Sequence, residues 1–108
     1  MMSLKTIVEL SELLDLYGAL LTGRQREYME LYYNENLTLA EIAGHFGISR
    51  QAVHDTMRHA EEQLRVYETK LQLFQKQQDR LRLTAEILQK LSDSDRQWMG
   101  PLLARITE

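Results

Sequence analysis

The chain has 108 residues, 44% hydrophobic and 27% charged, with five Gly, one Pro, no Cys and a formal net charge of −3. That length fits one domain, and the composition excludes a disordered chain and a membrane span; the missing cysteines exclude disulfides, thiolate catalysis and cysteine-bound zinc. The scarcity of Gly and Pro predicts an all-α protein, and the acidic balance excludes nucleic-acid binding driven by bulk charge, leaving only a local arrangement of residues.

In chain order, Ile7, Leu10, Leu14, Tyr17 and Leu21 recur at steps of three and four, flanked by Leu13, Leu16 and Leu20, and predict a first helix from Leu4 to Leu21. Lys5, Glu9, Glu12 and Asp15 interrupt that run, so it does not read as a signal peptide. Thr22 and Gln25 have capping-box spacing, which starts a second helix at Gly23 with Tyr28, Leu31 and Tyr32 as its buried face. Thr38 and Glu41 repeat the pattern and open a short helix to about Phe46, ended by Gly47. Ser49 is a good N-cap for the next helix, and no Gly or Pro follows until after Leu91.

An unbroken helix from Ser49 to Leu91 spans roughly 60 Å at 1.5 Å per residue. A break at 76–79, where four polar residues fall together, is the alternative. Leu64, Tyr67, Leu71, Phe74, Leu81 and Leu88 hold strict 3-4 spacing with Gln78 and Ala85, the seam of a helix that packs lengthwise on a partner. These six predict a homodimer, because so long a stripe exceeds what the short N-terminal helices can cover. Ser92 and Asp95 then cap a short terminal helix through Trp98, expected to be a core anchor, and Gly100-Pro101 is expected to interrupt it.

The informative stretch runs from Thr38 to Ala60. A helix-turn-helix needs a small residue where its helices cross, a Gly in the turn and apolar filling, and Ala43, Gly47 and Val53 meet those needs with Ile42, Phe46 and Ile48 as filling. Ser49, Arg50, Gln51, His54, Asp55 and Arg58 lie on the outward side of the second helix, with Thr38 at the start of the first. These seven are the candidate DNA contacts: Arg suits guanine, Gln suits adenine, and Arg58 suits a phosphate. The charge is unevenly spread, at −4 over residues 1–47, zero over 48–65 and +1 over 66–108. Such a footprint argues against promiscuous binding and favours specific or partner-assisted contact.

The run LTGRQREYMELYYNENLTLAEIAGHFGISRQAVHDTMRHAEEQL, residues 21–64, resembles region 4 of bacterial sigma factors. Together with the preceding DLYGAL and the following YETKLQLFQK it resembles the YlxM family of small bacterial helix-turn-helix proteins over about residues 5–90. His54 and Thr56 depart from the Tyr and Asn usual in that family. The resemblance implies a sigma-region-4-like helix-turn-helix with a long C-terminal helical extension, DNA binding, and a regulatory role in the signal recognition particle pathway through its protein or RNA. The expected layout is a single helical domain over 1–108, with an N-terminal helix (1–21), the helix-turn-helix (22–64) and a dimerisation segment (65–108).

Other chemistry finds no support in the residues. His54 and His59 are five apart and do not share a helix face as zinc ligands would, and Asp93-Ser-Asp95 lacks the Gly and Glu of a calcium loop. No phosphate-cradling Gly loop or nucleophile motif occurs, so no enzyme, cofactor or small-molecule substrate is expected. A cytoplasmic, non-membrane protein is the expectation.

Overall fold

The computed structural model describes residues 3–108, so the first two residues of the expected N-terminal segment lie outside the described residues. Among the described residues the chain forms six α-helices and one 3-10 turn, with no strand. None of the helices is long and apolar enough to cross a membrane. Two compact units result, one ending at Leu71 and one beginning at Gln72.

In the first unit, α1 (Leu4–Tyr17) starts where the Ser3 hydroxyl accepts the Thr6 N–H at 3.2 Å and buries Leu10, Leu13, Leu14 and Tyr17. It ends four residues before the expected Leu21. Gly18–Leu20 tightens into a 3-10 turn, and Leu21 follows in extended geometry, still nearly buried. The Tyr67 hydroxyl donates to the Leu20 carbonyl at 3.4 Å, and that of Tyr17 donates to Glu68 Oε1 at 2.7 Å, so both tie α1 and its turn to α4.

Helix α2 (Gly23–Tyr33) has the expected reciprocal cap between Thr22 and Gln25. Its fully covered residues are Tyr28 and Met29, whereas Leu31 and Tyr32 are only half-buried. A single stripe understates the requirement, because α2 packs on α1, α3 and α4 and therefore needs two adjacent positions directed inward. Arg24 lies over the Phe46 ring at 4.9 Å and Tyr28 packs on the same ring at 5.0 Å between centroids, joining α2 to α3.

Helix α3 (Leu39–Phe46) carries the second capping box, Thr38 with Glu41, and buries Ile42 and Ala43. Gly47 ends it at φ 67°, and Ile48 donates its N–H to the Ala43 carbonyl at 3.1 Å. A residue with a Cβ is strained there by about 1–2 kcal/mol. Gly47→Ala is therefore expected to lower stability by about that amount with no steric clash, since a Cβ at that position meets nothing within 4 Å. Equilibrium urea unfolding measures it.

Helix α4 (Arg50–Leu71) begins with the Ser49 hydroxyl accepting the Ala52 N–H at 3.0 Å. Its buried positions Val53, Met57, Ala60 and Leu64 alternate by four and three and seal the unit against α1, α2 and α3. Ile42 and Val53 are fully covered, Phe46 is half-buried, and Ile48 is 38% exposed rather than filling the corner. Ile48 sits past the left-handed Gly47, which turns the chain toward solvent before α4.

The helix expected to run unbroken to Leu91 stops at Leu71. Gln72 adopts φ 55° and ψ 31°, in the left-handed region, and α5 (Leu73–Lys90) starts behind it with Lys76 N–H bonded to the Gln72 carbonyl at 2.9 Å. The alternative break at 76–79 is not observed either, because those polar residues are ordinary helix formers and continue α5.

In the second unit, α6 (Asp93–Ile106) begins at Ser92, whose hydroxyl accepts the Asp95 N–H at 3.3 Å. Arg96 reaches back to the Leu88 and Gln89 carbonyls at 2.7 and 3.4 Å, closing the C-terminus of α5. Contrary to expectation the helix passes through Pro101. Residue 100 is glycine, so the clash of a preceding Cβ with the proline ring is absent. Trp98 is 60% exposed, not a core anchor, and donates its Nε1–H to Asp95 Oδ1 at 3.1 Å. Two helices enclose little volume: α5 buries no residue and α6 only Leu103.

Candidate nucleic-acid interface

Local sequence places the helix-turn-helix by two side-chain caps and one glycine: Thr38 opens α3, Gly47 ends it, and Ser49 opens α4. The apolar residues of α4 then face the core, which forces the intervening positions outward. Arg50, Gln51, His54, Asp55 and Arg58 are all exposed, as are Ser49 and Thr38. Ser49 and Thr38 spend their hydroxyls on backbone N–H groups, so their hydroxyls position helices.

Two open clefts adjoin this face. Arg50 and Thr38 share the rim of one, of about 490 Å³, with Tyr32, Tyr33, Asn36 and Leu39. His54 and Arg58 rim the other, of about 410 Å³, with Tyr32, Leu39, Met57 and Glu61. Tyr32, Leu39 and Glu61 thus belong to the same surface as the expected contacts, and sequence reasoning missed them. Periodicity places Tyr32 in the core; the one available signal to the contrary is the polar edge that a tyrosine brings to a stripe.

The polar side chains of α4 are mutually engaged. Gln51 Nε2 donates to Asp55 Oδ1 at 2.8 Å, His54 Nδ1 lies 3.6 Å from the same oxygen, and Arg58 Nε lies 3.7 Å from Glu62 Oε1. All of these are solvent-exposed and worth little in water, so a ligand can displace them. Arg50 stands in the first turn of α4, where no acidic residue accompanies it. A cation there opposes the helix dipole.

Beneath this surface the Tyr33 hydroxyl donates to Glu61 Oε1 at 3.5 Å. Burial, with the neighbouring Glu61 carboxylate next in importance, raises the Tyr33 phenol well above its ordinary range, and burial likewise raises the Glu61 carboxyl against the pull of Arg65. A carboxyl that holds its proton more tightly folded than unfolded adds stability at acid pH and loses it as pH rises past the carboxylate range. Glu61→Gln is expected to raise the urea midpoint at pH 7 and to gain less than the parent on acidification toward pH 4. Equal midpoint shifts in the two proteins would show that Glu61 carries no such cost.

The six expected dimer contacts divide. Leu64 has no exposed surface and belongs to the core of the first unit; Tyr67, half-buried, packs on Tyr17 with ring centroids 6.0 Å apart. Leu71 and Leu81 are 46% and 44% exposed, and Phe74 and Leu88 are half-buried. The stripe therefore falls on two helices.

Comparison with known proteins meets this geometry from outside. The profile of a family described as helix-turn-helix protein, YlxM / p13 like, matches residues 4–99. The chain belongs to this family. A UPF0122 protein of Bacillus mycoides (strain KBAB4) is 47% identical over 92 residues, covering 85% of this chain and 84% of that protein. UPF0122 proteins of Bacillus thuringiensis (strain Al Hakam) and Bacillus anthracis (strain A0248) are each 46% identical over the same extent. The family match includes all of α1 to α5 and the beginning of α6.

Proposed function

We propose that this protein is a DNA-binding regulator that places the first turns of α4 in a major groove, as a homodimer. The single observation that carries this reading is the exposed set Arg50, Gln51, His54 and Arg58 on one side of a helix whose opposite side is the core. The position of Arg50 adds weight: a cation in the first turn of a helix works against stability, which fits a residue kept for contact with a ligand. Arg50, Gln51, His54 and Asp55 would lie near base edges and Arg58 on the backbone. Two copies would double the few cationic contacts that each chain offers. Fluorescence anisotropy with DNA fragments enriched from a random pool tests the reading. Enrichment of a site bound at least a hundredfold better than bulk DNA supports it, and equal weak binding to all fragments refutes it.

The balance of three arginines and three carboxylates over residues 48–65 favours one alternative, contact with the protein or RNA of the signal recognition particle through Arg50 and Arg58. Recovery of that particle by the tagged chain, lost in an Arg50→Ala, Arg58→Ala double variant, is the outcome that distinguishes it.

Arg58→Ala is expected to weaken binding about equally for all DNA sequences and to lower the slope of log affinity against log salt by about one. A change confined to one preferred sequence would place Arg58 on a base instead.

A further inference from the structure

Within the second unit α5 buries no residue and α6 only Leu103, too little packing to hold two helices together in water. Leu91 and Ser92 join them so tightly that α6 returns along α5 as a helical hairpin. Thr84 and Leu88 on α5, and Met99 and Leu103 on α6, are the more covered residues and mark the seam. In an antiparallel pair the positions just before the seam residues of each helix fall on one side of the pair. Here those positions are Leu83 and Ile87 on α5 and Trp98 and Leu102 on α6, with Ile106 one turn further on. All five are 41–60% exposed. They present roughly 500 Å² together, the apolar centre expected of an interface that covers about 800 Å² per partner. Leu81, from the 3-4 stripe, falls on the other side of the seam.

We propose that this face packs on the same face of a second copy of the chain, with each α5 lying along the partner's α6, so that two hairpins close a four-helix bundle. The inference rests on the homodimer reading and adds which surface forms the dimer. Each hairpin gains the layer of apolar contacts that two helices alone do not supply.

The charges beside the face identify the occupant. On α5 it is flanked by Lys76, Arg80 and Lys90, none of which has an ion pair among the described residues; on α6 it is flanked by Asp95, which holds the Trp98 indole N–H at 3.1 Å. A twofold axis along the helices sets α5 of each copy on α6 of the other at equal height. Leu83 then meets the partner's Met99 and Leu102, and Lys90 stands beside the partner's Asp95. A twofold axis across the helices, centred on Leu83, sets α5 on α5 instead and brings Lys76 beside the partner's Lys90, like charges that oppose pairing. The basic edge therefore finds its acidic counterpart on the other helix of an identical hairpin. A surface that carries both halves of its own complement is that of a chain that pairs with itself.

Trp98 is the one tryptophan of the chain, so its emission reports on this face in the unaltered protein. The expected result is a shift of that emission to shorter wavelength as concentration rises, in step with the mass measured by light scattering, because the indole leaves water when two copies meet. A dimer whose emission stays that of an exposed indole overturns the proposal and leaves the homodimer reading in place. A monomer at every concentration overturns both. Charge reversal tests the arrangement: Lys90→Glu and Asp95→Lys are each expected to weaken dimerisation about tenfold. An equimolar mixture of the two variants is expected to restore it, since both pairs between the chains are then opposite in sign. A mixture that dimerises no more tightly than either variant alone overturns the placing of α5 on the partner's α6.

Discussion

Leu64→Ala is expected to cost about 2–5 kcal/mol of folding stability, the range for emptying a fully buried leucine site. Leu64 has no exposed surface and follows Val53, Met57 and Ala60 on the face of α4 that closes on α1, α2 and α3. Three helices pinned by caps at Ser3, Thr22 and Thr38 leave little freedom to collapse into the space, which favours the upper half of that range. The loss should be independent of protein concentration in urea unfolding, because the side chain packs within its own chain. A loss that disappears as concentration rises would instead place Leu64 in a dimer interface, as the 3-4 spacing alone suggests.

Arg50→Ala is expected to leave the urea midpoint unchanged or slightly raised and to weaken binding to a preferred DNA site by about 1–3 kcal/mol, the worth of one good contact to a base pair. The two halves of this expectation come from one placement. Arg50 is exposed in the first turn of α4, so its removal empties no cavity and relieves an unfavourable encounter with the helix dipole. Titrating the variant against preferred and bulk DNA at fixed salt measures the effect. Unaltered discrimination between the two would remove Arg50 from the base-reading set.

The local elements of the site were legible in the residues because their signals act over three or four positions. Thr22 with Gln25, Thr38 with Glu41, Ser49 and Gly47 each satisfy or end a helix through their own backbone neighbours, and each stands where its spacing predicts. The exposure of Arg50, Gln51, His54 and Arg58 follows from the same logic, since burying Val53 and Met57 turns those positions outward. The half-buried Glu61 and Tyr33, and the part that Tyr32 and Leu39 take in the rim, were not legible. They depend on which residues of α2 and α3 come to stand beside α4.

The C-terminal third shows the limit more sharply. Periodicity from Leu64 to Leu88 describes one helix, and Trp98 has the composition of an anchor, but neither property says what an element will find to pack against. Gln72 has no sequence signal for a break, and the indole of Trp98 met no third helix in a two-helix unit. The sequence by itself determined that this is an all-α chain of capped helices with a helix-turn-helix and an outward arginine face, because capping and amphipathic spacing are local. Only the tertiary structure decided that Leu64 is core and that the long helix divides at Gln72. Those outcomes turn on competition between distant contacts and local strain, a balance that no window of neighbouring residues contains.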